Sequence, residues 1–257
     1  MFFNQTPNLL LILQAAAAAF AAARLLQFHL TRRFAYLFSY LVVTVLFAVG
    51  LSVLDRNSPA YYWSYLASGP VIWATASLTV YQLFALVFRD YPGLKTAGRW
   101  ALNGALAISL IASAVILRTP WSFLSARSTA LYYELVLDRS VHFGLAVIIV
   151  VLILFLSRYP LHLDRNTYVA SGFFSAVFLA ESVTRLIDTL SPALHANAVD
   201  TPEIAFVALA FTGWGVMLRA ASAARIPVRV PGDPGREADL LRQLDALNGI
   251  LSRSVRR

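Results

Sequence analysis

The chain has 257 residues, of which 59% are hydrophobic and only 13% charged, and its mean hydropathy is +0.67. Soluble domains are about half apolar and a quarter charged, so this composition excludes an ordinary water-facing fold. The net charge of +8 lies in connections and in the C-terminal tail, which points to an anionic membrane face and away from nucleic acid. The absence of cysteine excludes disulfides, thiolate catalysis and cysteine-based metal centres.

A membrane-crossing helix needs about 20 predominantly apolar residues, and seven stretches meet that need. The first, Asn8 to Phe28, is rich in alanine but lacks a preceding basic segment, so it reads as a retained helix rather than a cleaved leader. Its Ala15, Ala19 and Ala23 are expected to form a close contact face. The second runs from Phe34 to Leu54. The third, Tyr61 to Phe88, contains Gly69-Pro70, expected to kink it, and Ser77, Thr79, Tyr81 and Gln82, expected to bond to neighbouring helices.

The fourth stretch is Arg99 to Leu117. The segment Thr119 to Asp138 mixes apolar and charged residues, and reads as an interfacial helix or as an extension of the next span, in either case a partial lid. The fifth, sixth and seventh stretches are Arg139 to Ser157, Tyr168 to Asp188 and Glu203 to Arg219. In the last, Thr212-Gly213-Trp214-Gly215 reads as tight helix packing around a ring. Beyond Arg219, Pro227 and Pro231 suggest an extended linker. A tail helix then starts with Asp233 as its cap and Pro234 in its first turn.

Sixteen of the 21 Lys and Arg residues fall on one side if the N-terminus lies outside, as the positive-inside rule requires. The expected fold is therefore an all-α integral membrane bundle of seven transmembrane helices. Its N-terminus is outside and its C-terminus cytoplasmic, with a short amphipathic tail helix. Residues 1–222 form the membrane domain and 223–257 the linker and tail. The bilayer is the first partner.

Ionisable residues inside membrane spans are costly and usually functional. Glu134, Asp138 and His142 repeat at helical spacing, as do Glu181, Arg185 and Asp188. If the two faces converge, Asp138, His142, Glu181 and Arg185 line a ligand-binding pocket in the outer half. The alternative is an ion pair between Glu181 and Arg185 within one helix. On the tail, Leu240, Leu244, Leu247 and Leu251 form one apolar face for a cytoplasmic partner or for the membrane surface. No hydrolase, metalloprotease, phosphate-loop or dinucleotide motif is present. The expectation is accordingly no enzyme, no cofactor and no metal.

Arg89-Asp90-Tyr91-Pro92-Gly93 follows the third span, and Arg158-Tyr159-Pro160 echoes it after the fifth. In layout and in that turn the chain resembles uncharacterised bacterial seven-helix membrane proteins. The resemblance implies a bacterial cytoplasmic membrane and adds no activity. A retinal protein is ruled out, because the sole lysine is Lys95, outside the last span. The leading expectation is a sensory or receptor-like module that couples the polar pocket to a cytoplasmic partner. A small-solute transporter or channel and a membrane scaffold are the alternatives.

Overall fold

The computed structural model describes residues 8–55, 58–91, 129–158, 162–190, 196–220, 225–227 and 234–254, with isolated positions between 93 and 111. Most of the fourth expected span, residues 119–128, the Asp233 cap, Tyr159-Pro160 and Pro231 lie outside them. So do the side chains of Arg185, Asp188, Leu240 and Leu251.

Among the described residues six long helices form the body: α1 (Asn8–Gln27), α2 (Ala35–Val53), α3 (Pro59–Val87), α4 (Thr129–Arg158), α5 (Arg165–Leu190) and α6 (Ala196–Met217). They pack as a closed ring, each on the next in chain order, with α6 returning to α1, while α3 also touches α5. Helices α1, α2 and α3 are long and apolar enough to cross a membrane, and α4 and α6 contain the shorter apolar stretches Ser140–Leu152 and Thr201–Met217. Large side chains such as Leu46, Val53, Val151, Leu154, Leu209 and Val216 point outward and are exposed. Such a surface would be unstable in water and suits lipid. The protein is a mostly helical, membrane-embedded bundle.

The interior is aromatic. Tyr40 meets the rings of Phe174, Phe178 and Phe211 at 6.1–6.3 Å, and Phe174 lies edge-on to Trp214 at 5.3 Å. Between helices in lipid, close packing supplies the attraction that the hydrophobic effect supplies in water. Gly215 shows how tight it is: a methyl group there would sit 2.7 Å from the Phe20 ring and 3.3 Å from the Ala21 Cα. On α1 the buried face is Ala18, Ala21, Ala22 and Leu25. The expected Ala15, Ala19 and Ala23 stripe is corrected by this, since Ala19 and Ala23 are exposed. They line a shallow apolar groove against α2.

The ends where α1 finishes and α2 starts are held by polar bonds. Leu30 N–H donates to the Leu25 carbonyl at 2.9 Å and His29 N–H to that of Leu26 at 3.0 Å. With Leu25 and Leu30 both buried, this is a Schellman stop. Its left-handed position is His29, with φ of 55°, where a side chain is strained and glycine is not. His29→Gly is therefore expected to stabilise the bundle by about 0.5–1 kcal/mol, read as a higher thermal midpoint in lipid or detergent. Gln82 of α3 caps α2 from outside. Its Oε1 accepts from Tyr36 and Leu37 N–H at 3.1 and 3.2 Å, and its Nε2 donates to the Arg33 carbonyl at 3.0 Å.

At the same end, two short strands pair antiparallel: β1 (His162–Asp164) and β2 (Arg225–Pro227), with Leu163 opposite Ile226. Residues 225–227 thus belong to a paired strand, not to a free linker. Asp164 accepts from Thr167 N–H at 2.9 Å and pairs with the Arg33 guanidinium at 2.9 Å. Asn166 grips Arg219 through both its carbonyl and its N–H, at 2.8 and 3.3 Å.

The tail helix α7 (Pro234–Ser254) also docks here. Leu244 is fully buried against Val87, Phe88, Leu152 and Leu163, with Phe84, Tyr91, Leu94 and Phe155 around them. Gly93 N–H donates to the Asn248 side chain at 2.7 Å. The expectation that the leucine face meets a partner or the membrane is corrected at Leu244, which is consumed by the chain's own bundle. A three-residue step turns Leu247 away, leaving it 42% exposed.

Burial, with Asp245 of α7 and Asp90 nearby, holds the Tyr91 phenol above its ordinary value. The docked tail therefore prefers the protonated phenol. Its linked stability is present below about pH 10, the ordinary tyrosine value, and is lost as pH rises through the raised one. Alkaline pH is expected to increase proteolysis of α7, and Tyr91→Phe to remove that sensitivity.

Candidate functional site

Three helices bring the polar cluster together. On α4, Glu134, Asp138 and His142 are one helical turn apart, and all three are buried. The 3.6-residue period leaves a drift of roughly 40° per step, so the stripe slants across the junctions of α4 with α3 and α5. Asp138 faces α3, where the Trp73 indole donates to its Oδ1 at 2.6 Å. His142 faces α5, where its Nε2 lies 3.3 Å from Glu181 Oε2.

The other ring nitrogen of His142 turns back along its own helix. Nδ1 is 2.8 Å from the Asp138 carbonyl oxygen and 3.2 Å from Asp138 Oδ1. Its side chain is only 7% exposed, and those of Asp138 and Glu181 are each 12% exposed. The single Ser182 O–H, next to Glu181, is shared between two acceptors, the His142 carbonyl at 2.9 Å and the Phe178 carbonyl at 2.7 Å. Hence α4 and α5 are joined twice at one level, once through the imidazole and once through the backbone.

Gly69 explains how Glu134 fits. A methyl group there would lie 2.8 Å from Glu134 Oε1 and 3.1 Å from the Trp73 ring. The glycine expected to help kink α3 serves as a notch for the carboxylate, and the helix continues through Pro70. Gly69→Ala is expected to cost about 1 kcal/mol, the low end for overpacking. The flexible Glu134 can swing aside, whereas the Trp73 ring is held by Asp138. A thermal midpoint together with tryptophan fluorescence checks both halves.

Tyr40 of α2 feels the charges of both Glu181 and Glu203 of α6. Glu203 also lines an open, mostly apolar cleft of about 540 Å³ between α5 and α6, with Thr184, Pro202 and Phe206. The cleft is separate in lining from the three ring-bridged residues. Among the described residues no group of three His, Asp or Glu is placed to hold a metal ion.

Of the four expected pocket residues, the structure brings Asp138, His142 and Glu181 together, while the Arg185 side chain lies outside the described part. The described contact of Glu181 is with His142 of α4, across the helix junction. Trp73 was missed by sequence reading. Its signal was available in the spacing of Gly69, Trp73, Ala76, Val80, Leu83 and Val87, an inward stripe on α3 that is buried throughout. Comparison with protein-family models, curated proteins and solved structures finds no match to the chain.

Proposed function

We propose that the protein is a multi-pass membrane sensor with seven spanning helices, its N-terminus outside and its C-terminus in the cytoplasm of a bacterial cell. The polar cluster on α3, α4 and α5 is the input, and the end carrying β1, β2 and α7 is the output. The observation that carries this reading is the shared use of two helices. Trp73 and Glu134 to His142 sit on the same α3 and α4 whose other ends supply Val87, Phe88 and Leu152 to the Leu244 contact. From His142 to Leu152 is ten residues of one continuous helix, about 15 Å, a rigid connection between the two sites.

The cluster is packed at hydrogen-bonding distances, which favours an input that alters helix packing over a solute passing through the bundle. The three long apolar helices and the apolar stretches of α4 and α6 support the spanning architecture. Crosslinking and affinity capture from native membranes tests the output, comparing the full chain with one truncated after Pro231. The reading expects a partner captured only with the tail, in an amount that changes in Glu181→Ala. A partner held equally without the tail, or unaffected by Glu181→Ala in a folded protein, rejects it.

A further inference from the structure

We infer that the ligand of this cluster is the proton, and that its binding and release at Asp138, His142 and Glu181 set the α4–α5 junction. The inference rests on the sensor reading for its output, but the site itself stands on geometry. Both ring nitrogens of His142 face oxygen acceptors: the Asp138 carbonyl and carboxylate at Nδ1, and the Glu181 carboxylate at Nε2. A neutral imidazole has one N–H and one lone pair, and an ionised carboxylate only accepts. Neutral His142 between two ionised carboxylates would therefore point a lone pair at an oxygen on one side.

One more proton resolves this. Either the imidazole takes it and donates from both nitrogens, or Glu181 takes it and donates its O–H to Nε2. Both states have the same composition, and each places a proton between an imidazole nitrogen and an oxygen on both sides. The 2.6–3.3 Å separations along Trp73, Asp138, His142 and Glu181 leave no room for a larger ligand between them.

The surroundings fix the sign of the response. Facing the imidazole are Asp138 of α4 and Glu181 of α5; the neutral Trp73 indole of α3 donates to Asp138, and Glu134 lies two turns back along α4 beside Gly69. Tyr40 of α2 lies within reach of the charges of Glu181 and of Glu203 of α6. The side chains of Arg139 and Arg185 lie outside the described residues. Loss of the proton returns it to water and leaves carboxylates facing a lone pair across the α4–α5 contact, so rising pH loosens the junction and falling pH closes it.

The test uses the full chain in nanodiscs of phosphatidylcholine and phosphatidylglycerol, with ¹⁵N-labelled histidine. There are four histidines, and His142→Gln assigns the signal. A second sample carries spin labels at Phe143→Cys and Val183→Cys, two outward positions on α4 and α5. Between about pH 5 and about pH 9, the His142 shifts are expected to titrate. The label separation should rise with the same midpoint by about 1–2 Å, the size of a helix shift. Glu181→Gln, whose amide donates to Nε2 without a titrating proton, should make the separation independent of pH.

A His142 signal and a label separation that both stay constant across that range overturn the inference, as does a titration that leaves the separation unmoved. These failures differ from failure of the sensor reading. If Glu181→Ala alters tail-dependent capture while His142 does not titrate, the input is something other than a proton and the sensor stands. If His142 titrates and the junction moves but capture is unchanged, the proton site stands and the output is rejected.

Discussion

His142→Ala is expected to destabilise the bundle by about 3–5 kcal/mol, the range for removing one member of a buried charged set. The loss exceeds that of an ordinary cavity of this size. It leaves Glu181 without its bridging ring and removes the imidazole from beside Asp138. The two faces of α4 and α5 that met through the imidazole then present oxygen to oxygen. The charged set is costly to break but not costly to replace, since apolar pairs of similar volume often match buried ion pairs in stability. The double variant His142→Leu with Glu181→Leu is therefore expected to recover much of the loss while abolishing any response. Thermal unfolding in lipid, arranged as a double-mutant cycle, reads both results. A double variant as unstable as the sum of its parts would show that the cluster is structural in a way the charge argument does not capture.

Trp214→Ala is the second large effect, also about 3–5 kcal/mol. Trp214 is fully buried at the centre of the ring, edge-on to Phe174, with Gly213 and Gly215 beside it. Helices clamped this closely cannot collapse into the space left by an indole, so most of the lost contact becomes cavity. The Trp214 Nε1 is buried and has no hydrogen-bond partner among the described residues, a state that itself costs about 1–3 kcal/mol. Trp214→Phe removes that orphan donor along with part of the ring. Its two terms oppose each other, and the net change is expected to stay within about 1 kcal/mol. The same thermal measurement separates the variants.

Much of the helical body was legible from apolar run length alone. Phe34 to Leu54 became Ala35–Val53, and Asn8 to Phe28 became Asn8–Gln27. The starts were less legible where amphipathic turns precede the apolar core. Helix α4 begins at Thr129, ten residues before the expected Arg139, and α6 begins at Ala196 and passes through Pro202. Of the two expectations for Thr119 to Asp138, an interfacial helix or an extension of the next span, the described part from Thr129 onward follows the second. The expected start at Glu203 left Pro202 just outside the span. Pro202 is the seventh residue of α6, past the four N–H groups that have no intrahelical partner, so the helix continues through it with one backbone bond missing.

The site was half legible. Helical spacing alone put Glu134, Asp138 and His142 on one face and Glu181 on another. That these faces meet is a tertiary fact, and the contact of His142 with Glu181 could not be read from spacing. Strands β1 and β2 were invisible for a different reason: three residues each, sixty positions apart, carry no periodicity. The docking of Leu244 was hidden because an amphipathic stripe states that a face must be covered but not by what. The small-residue contact of α1 missed by one helical step, because a run of consecutive alanines offers several equivalent faces.

The claim that the cluster controls the tail is tested most directly by hydrogen exchange in α7, comparing wild-type protein with Glu181→Gln in the same membranes at the same pH. Local opening, not global unfolding, governs exchange in a docked element, so amides of α1 and α2 serve as the internal reference. The account predicts that exchange across residues 234–254 changes several-fold in Glu181→Gln while α1 and α2 keep their protection. Unchanged exchange in α7, or a change shared equally by every helix, would contradict it.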